Sequence, residues 1–189
     1  MLGVMRIVGG TAKGRRLAVP GRGTRPTSDR AREALFNTLR TEIALPGARV
    51  LDLYAGSGAV GLEALSQGAA LSVMVESERG AAAVIENNIA ALGLPGARLH
   101  RCPVATYLAA VGADDAFDVV YLDPPYAVED HIIDTVLQAL VAVPWIVSGG
   151  VVVVERSARN RDDVMWPDEI KAIKHRRYGE AALWYGRRE

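Results

Sequence analysis

Val50-Leu51-Asp52-Leu53-Tyr54-Ala55-Gly56-Ser57-Gly58-Ala59-Val60-Gly61-Leu62-Glu63-Ala64 reads as an apolar strand that runs through a glycine-rich turn into a helix. Glycines at 56 and 58 let the backbone turn tightly and approach a ligand closely. Glu76 lies 20 residues after Gly56. It closes the next apolar run, where a carboxylate can take both hydroxyls of a ribose. Gly56, Gly58 and Gly61 also satisfy the spacing of a dinucleotide-binding loop. Against that reading, Asp52 sits at the end of the strand, where an acid would face a pyrophosphate unfavourably. A cationic ligand suits it better, such as the amino-acid end of S-adenosylmethionine.

Outward from this loop the chain alternates between short apolar runs and amphipathic stretches. Strands are expected at 49–54, 71–76, 97–101, 117–122 and 150–154, and helices at 59–67, 78–92, 103–111 and 130–141. Nearly continuous apolar strands between helices predict a parallel sheet covered on both faces. Residues 170–176 and 181–186, around Tyr178-Gly179-Glu180, read as a closing antiparallel hairpin. Upstream, Thr27-Ser28-Asp29 can cap a helix through about Glu42, with Ala31, Leu35, Thr38 and Leu39 on one face. Residues 5–9 and 15–19 flank Gly10-Thr11-Ala12-Lys13-Gly14 as a small hairpin. The expected fold class is α/β: a seven-stranded, mostly parallel Rossmann-like sheet with a C-terminal antiparallel hairpin and an N-terminal hairpin-plus-helix extension. We divide it into a basic extension, 1–26, and a main domain, 27–189.

The chain has 189 residues, 50% hydrophobic and 23% charged, with a formal net charge of zero. That composition excludes a disordered or fibrous chain. The zero conceals an asymmetry: residues 1–40 carry +7, residues 41–154 carry −9 and residues 155–189 carry +2. A basic arm on an acidic body suggests a polyanionic partner met by the arm. Cys102 is the sole cysteine, which rules out an internal disulfide and a cysteine-based zinc cluster. His100, His131 and His175 lack metal-ligand spacing, so no metal is expected. With no long apolar run and no apolar leader at the N-terminus, the expected setting is the cytoplasm, away from membranes.

Phe117-Asp118-Val119-Val120-Tyr121-Leu122-Asp123-Pro124-Pro125-Tyr126 is a second informative segment, a strand that stops at two prolines. The prolines stiffen a turn at the strand's C-terminal end. There the Asp123 carboxylate and the Pro124 carbonyl lie side by side, two acceptors for the N–H groups of an exocyclic amine. Tyr126 supplies an aromatic face for a planar base. Methyl transfer to such a nitrogen is an in-line displacement in which alignment supplies most of the rate.

With these residues assembled, the chain resembles the Rossmann-type S-adenosylmethionine-dependent methyltransferases that modify amino groups. More narrowly, it resembles the RsmD family of 16S rRNA guanine-N2 methyltransferases. The narrower likeness rests on Arg6-Ile7-Val8-Gly9-Gly10 with Lys13-Gly14-Arg15, on Thr24-Arg25-Pro26-Thr27 with Arg30, Arg32, Glu33, Ala34, Leu35, Phe36 and Asn37, and on the two segments above. It implies methylation of one guanine N2 in 16S rRNA, within the 30S subunit or an assembly intermediate, by a monomer. It also implies that the target base is flipped out and stacked on Tyr126. The cofactor would be S-adenosylmethionine, held by Asp52, Tyr54, Ala55, Gly56, Ser57, Gly58, Glu76, Ser77 and Val104. Asp123, Pro124, Pro125 and Tyr126 would form the catalytic turn. Arg6, Lys13, Arg15, Arg16, Arg22, Arg25, Arg30 and Arg32 would hold RNA phosphates. The segment His100-Arg101-Cys102-Pro103-Val104 departs from the family, which commonly offers a polar side chain to the cofactor adenine there.

Competing readings are a DNA adenine-N6 methyltransferase, opposed by the lack of a long target-recognition insert, and a non-catalytic RNA-binding assembly factor. A nicotinamide oxidoreductase is opposed by Asp52 and the double proline. Cys102 is read as structural, Trp145, Trp166 and Trp184 as packing residues, and Glu63, Glu78 and Glu86 as solvated. Arg176-Arg177 suits an RNA contact and a solvated hairpin edge equally.

Overall fold

The computed structural model describes residues 5–21, 29–110, 116–125, 127–159 and 163–189. Its elements in chain order begin with β1 (Met5–Arg6), β2 (Arg16–Leu17), α1 (Asp29–Glu42), β3 (Arg49–Leu53), α2 (Ala59–Ser66), β4 (Leu71–Val75) and α3 (Arg79–Leu92). They continue with β5 (Ala97–His100), α4 (Val104–Ala109), β6 (Phe117–Leu122), α5 (Asp130–Ala142), β7 (Ile146–Ser157), β8 (Ile170–Tyr178) and β9 (Ala181–Arg188). The seven long strands form one sheet in the order β5-β4-β3-β6-β7-β9-β8. Strands β3 to β7 pair in parallel, and β9 pairs antiparallel with both β7 and β8. The expected α/β class, with its parallel sheet and closing hairpin, is the fold observed. Among the described residues no helix is long and apolar enough to cross a membrane.

Alternating strand residues divide the core. Val50, Met74, Val119, Tyr121, Val151 and Val153 pack with α1, α2 and α3 on one face. Leu51, Val73, Val75, Val120, Val152 and Val154 pack with α4 and α5 on the other. Both faces are therefore dry, which is why these strands read as unbroken apolar runs. Trp145 and Trp184 are buried and Trp166 packs partly buried, as packing residues would. The largest difference from the expected boundaries is β7, which begins at Ile146 rather than 150. Its register against β6 shifts between Phe117 and Val119, so a bulge carries the strand through Ser148-Gly149-Gly150.

The N-terminal hairpin forms, but its ladder spans only Met5↔Leu17 and Arg6↔Arg16. Residues 8–12 turn away from it because α2 takes their polar groups. Val8 and Gly9 donate their N–H groups to the Glu63 carboxylate at 2.8 and 2.7 Å. Thr11 N–H donates to the Ser66 carbonyl at 2.7 Å, and Ala12 N–H to Ser66 Oγ at 2.9 Å. Gly10 sits at φ +74, and a Cβ there would lie 1.7 Å from the Ser66 carbonyl oxygen, so only glycine fits. Met5, Ile7, Ala12 and Leu17 are buried with α1 and α2 in one cluster. All eight residues of α2 are buried, since the sheet covers one side and the hairpin the other.

Glu63, expected to be solvated, is fully buried. Besides the two backbone donors it receives Gln67 Nε2 at 2.8 Å and Arg32 Nε at 3.3 Å. Arg32 is equally buried, donates to the Arg6 carbonyl and pairs with Asp29 at 2.9 Å. A helix-surface pattern shows a charged position but not what covers it. Glu78 and Glu86 are exposed, the first capping α3 and the second paired with Arg101. At its far end α1 is tied to the C-terminal hairpin β8–β9 through Glu42, which meets Lys174 at 2.8 Å and Arg187 at 2.7 Å. The Lys174 ammonium, with Arg187, holds that carboxyl below its ordinary range.

Removing one member of a buried ion pair strands the other. Arg32→Met is expected to cost roughly 3–5 kcal/mol in urea unfolding, with Arg32→Met/Glu63→Gln recovering a substantial part. Equal losses in the single and double variants would contradict the pairing.

Candidate active site

The chain builds β3, β4 and β5 to one side, then crosses to place β6 on the other side of β3. Loops leaving the C-terminal ends of β3 and β6 therefore diverge, which opens the ligand crevice of a parallel sheet. Leu53 pairs with Leu122 at the ends of these strands. Asp123 N–H then donates to the Leu53 carbonyl at 3.4 Å. This pairing brings the glycine loop and the Asp-Pro-Pro turn to one place.

Tyr54 leaves β3 at φ +63, the one non-glycine residue with positive φ among those described. Ala55 N–H bonds to the Val75 carbonyl at 3.0 Å, and Gly58 N–H closes the turn on the Ala55 carbonyl at 2.7 Å. The glycines have different roles. A Cβ at Gly56 would meet no atom within 4 Å, so the loop presents bare backbone to open space there. At Gly58 a Cβ would meet Met74 Sδ at 3.0 Å, and at Gly61 it would meet Ser72 Oγ at 2.5 Å. Gly56 thus suits a ligand, while Gly58 and Gly61 let α2 sit against β4 and α3.

Three side chains fix this loop. Glu76, half-buried at the end of β4, accepts Gly56 N–H at 2.8 Å and Glu78 N–H at 2.8 Å. Each carboxylate oxygen keeps a lone pair in reserve, as a ribose diol requires. Asp52 is 1% exposed and accepts Gly61 N–H at 2.9 Å. It lies beneath the loop, with its carboxylate against the first turn of α2. Burial pushes its carboxyl from the ordinary 3.8 to about 7; the Gly61 N–H opposes that rise and the Glu76 charge adds to it. Asn88, on α3, donates to the Ser57 carbonyl at 2.9 Å. The sequence reading missed Asn88. Its signal was a polar amide of low helix propensity on the buried side of an alanine-rich helix.

The remaining expected cofactor residues border this loop or the next. Ala55 and Ser57 are buried, Tyr54 is half-buried with its phenol pushed up by burial, and Ser77 is exposed beyond Glu76. Val104 is buried at the first turn of α4, and His100 stacks edge-on against Tyr107 at 4.9 Å. Cys102 is half-buried against the α4/α5 side of the core. In the Asp-Pro-Pro turn Asp123 is half-buried, Pro124 buried and Pro125 exposed. Tyr126 lies outside the described residues, as do Arg22, Arg25 and the capping residues Thr27 and Ser28.

Of the expected phosphate-binding side chains, Arg6, Lys13, Arg15, Arg16 and Arg30 are exposed. Arg15 also donates to the carbonyls of Ala91 and Leu92, where α3 ends and a cation is favoured. Arg32 does not belong with them: it is fully buried on Glu63 and cannot reach a phosphate in this arrangement.

A site with this loop, a ribose-type acid and bare backbone at Gly56 fits S-adenosylmethionine, the cofactor of the methyltransferases with which the chain aligns. The family model described as Conserved hypothetical protein 95 matches residues 5–187. Ribosomal RNA small subunit methyltransferase D of Escherichia coli K12 is 36% identical over 159 residues, which cover 84% of this chain and 77% of that protein. The solved structure of yhhF from Escherichia coli has a TM-score of 0.87 at 33% identity and covers 99% of both chains. That of a hypothetical protein from Thermus thermophilus has a TM-score of 0.80 at 36% identity, covering 96% of this chain and 98% of that one. The chain belongs to this family, the RsmD-type S-adenosylmethionine-dependent methyltransferases.

Proposed function

We propose that this methyltransferase transfers a methyl group to the exocyclic N2 of one guanine in 16S rRNA. Its substrate would be the 30S subunit or an assembly intermediate, in the cytoplasm, and the enzyme would act as a monomer. The observation that carries the reading is the bond from Asp123 N–H to the Leu53 carbonyl, which sets an Asp-Pro turn beside the cofactor loop. The name of the Escherichia coli relative supports ribosomal RNA as the substrate class.

When bound, S-adenosylmethionine would supply an electrophilic sulfonium methyl with a neutral thioether as leaving group. The chain's part is to bind, orient and accept a proton. Glu76 would hold the ribose hydroxyls, and the open backbone at Gly56 would border the cofactor. The Asp123 carboxylate and Pro124 carbonyl accept the two N–H bonds of the guanine amine, which turns its lone pair toward the methyl and fixes the line of attack. Asp123 then holds the proton that the methylated nitrogen loses. Tyr126 stacks on the flipped base. Arg6, Lys13, Arg15, Arg16 and Arg30, together with Arg22 and Arg25, meet the phosphates around it. We retain residues 1–26 as the RNA-binding extension and 27–189 as the catalytic domain.

Labelled S-adenosylmethionine offered with undermodified 30S subunits, naked 16S rRNA and duplex DNA separates the readings. N2-methylguanosine in either RNA sample is expected. N6-methyladenine in the DNA would overturn the substrate, and cofactor binding without transfer would favour an assembly factor. Asp123→Ala should lower kcat by about 10²–10³, with RNA affinity retained. Lys13→Ala/Arg16→Ala should weaken RNA binding and flatten the slope of log affinity against log salt by about one for each phosphate no longer neutralised, with cofactor affinity unchanged.

A further expectation concerns Asp52. A carboxyl whose pKa the fold raises to about 7 stabilises the protein below its ordinary 3.8 and loses that contribution as pH rises through 7. Unliganded wild type should therefore lose Tm between pH 5 and pH 8, and Asp52→Asn should lose less. The cofactor's positive charge favours ionised Asp52, so cofactor affinity should rise with pH near 7 in wild type and stay flat in the variant.

A further inference from the structure

Glycine gives the cofactor loop its turn but also its freedom. Gly56 at φ +59 and Gly58 at φ +74 flank Ser57, and neither carries a Cβ to restrict rotation of the peptide between them. Inside the loop the Ser57–Gly58 peptide is held only at its N–H, by the Ala55 carbonyl at 2.7 Å; its carbonyl end is held from α3, by Asn88 Nδ2 at 2.9 Å. The same amide grips the N-terminal arm. Its Nδ2 donates to the Ala18 carbonyl at 3.0 Å, and its Oδ1 accepts Ala18 N–H at 2.8 Å. One donor hydrogen thus faces each carbonyl and the oxygen faces an N–H, so the partners dictate the amide's orientation. Asn88 is 2% exposed. Two further contacts tie the same segments together: Ser57 Oγ lies 3.6 Å from Met5 Sδ, and Arg15 closes the end of α3 on the Leu92 carbonyl at 2.7 Å.

We propose that Asn88 is a positioning residue of the cofactor site and that, through it, the N-terminal arm is a structural part of that site. The arm that meets the nucleic acid and the loop that meets the cofactor share one side chain. Docking of Ala18 and Arg15 on α3 holds the Ser57–Gly58 peptide in the orientation that the cofactor requires. This inference depends on the cofactor and not on the RNA substrate, so it stands or falls apart from the nucleoside analysis above.

The test is the dissociation constant of S-adenosylmethionine, measured by calorimetry on the full chain without RNA. Leu140→Ala serves as a control: it opens a cavity at a fully buried site on α5, on the other face of the sheet. At a temperature where circular dichroism shows every variant folded, Asn88→Ala should bind about tenfold more weakly than wild type. Leu140→Ala should stay within about twofold. Asn88→Leu closely preserves the shape and branching but offers Ser57 no donor. It should match Asn88→Ala, and it carries the test if the alanine variant does not fold. Ala18→Pro deletes the arm's N–H donor to Asn88 and should weaken binding about threefold. Asn88 variants that bind as tightly as Leu140→Ala would overturn the positioning role. Weakened Asn88 variants beside an unchanged Ala18→Pro would overturn the part assigned to the arm.

Discussion

A carboxylate enclosed on every side is the constraint around which the N-terminal half is arranged. Glu63 is shut off from water, and a buried ion must be paired and hydrogen-bonded in full. Two backbone N–H groups from the arm, the Arg32 guanidinium and the Gln67 amide meet that demand. Each donor brings its own segment with it. The arm is drawn off its hairpin ladder onto α2, α1 is anchored by Arg32, and α2 is enclosed between the sheet and the arm. Since α2 starts at the glycine loop, the interaction that seats the arm also seats the loop.

The loop shows how a flexible sequence becomes a fixed surface. Its glycines permit the path and select no part of it. Selection comes from polar side chains on neighbouring elements: Asp52 on Gly61 N–H, Glu76 on Gly56 N–H and Asn88 on the Ser57 carbonyl. The Glu76 charge also bears on Asp52, adding to the rise that burial imposes on its pKa. Of the three loop glycines only Gly56 keeps its outer side open: a Cβ there would meet no atom within 4 Å. Across the crevice the β3–β6 pairing supplies the Asp123-Pro124 turn.

Charge follows the same division. Read along the chain, residues 1–40 form a strongly positive block, yet the fold turns part of it inward. Arg32 is buried on Glu63, whereas Arg15 stays exposed while its guanidinium bonds the carbonyls that end α3. Arg6, Lys13, Arg16 and Arg30 remain on the outside. Among the described basic residues of this block only Arg32 is withdrawn from the surface.

The sequence by itself determined the class of the sheet, the strand–loop–helix unit around Gly56 and the Asp-Pro-Pro turn. These are local properties: periodicity, glycine and proline act within a few residues of themselves. Even the spacing of Glu76 from Gly56 is legible, because one strand and one helix separate them in any such unit. The tertiary structure decided what lies against what. Glu63 looks like a solvated helix position, and only the arm folded over it makes it the centre of a buried network. Arg32 shares its pattern with arginines that face solvent. Asn88 is one amide among ordinary helix residues until Ala18 and Ser57, which are 70 and 31 residues away, converge on it. Partners so distant leave no period in the chain; burial and hydrogen-bond satisfaction choose them once the sheet has closed.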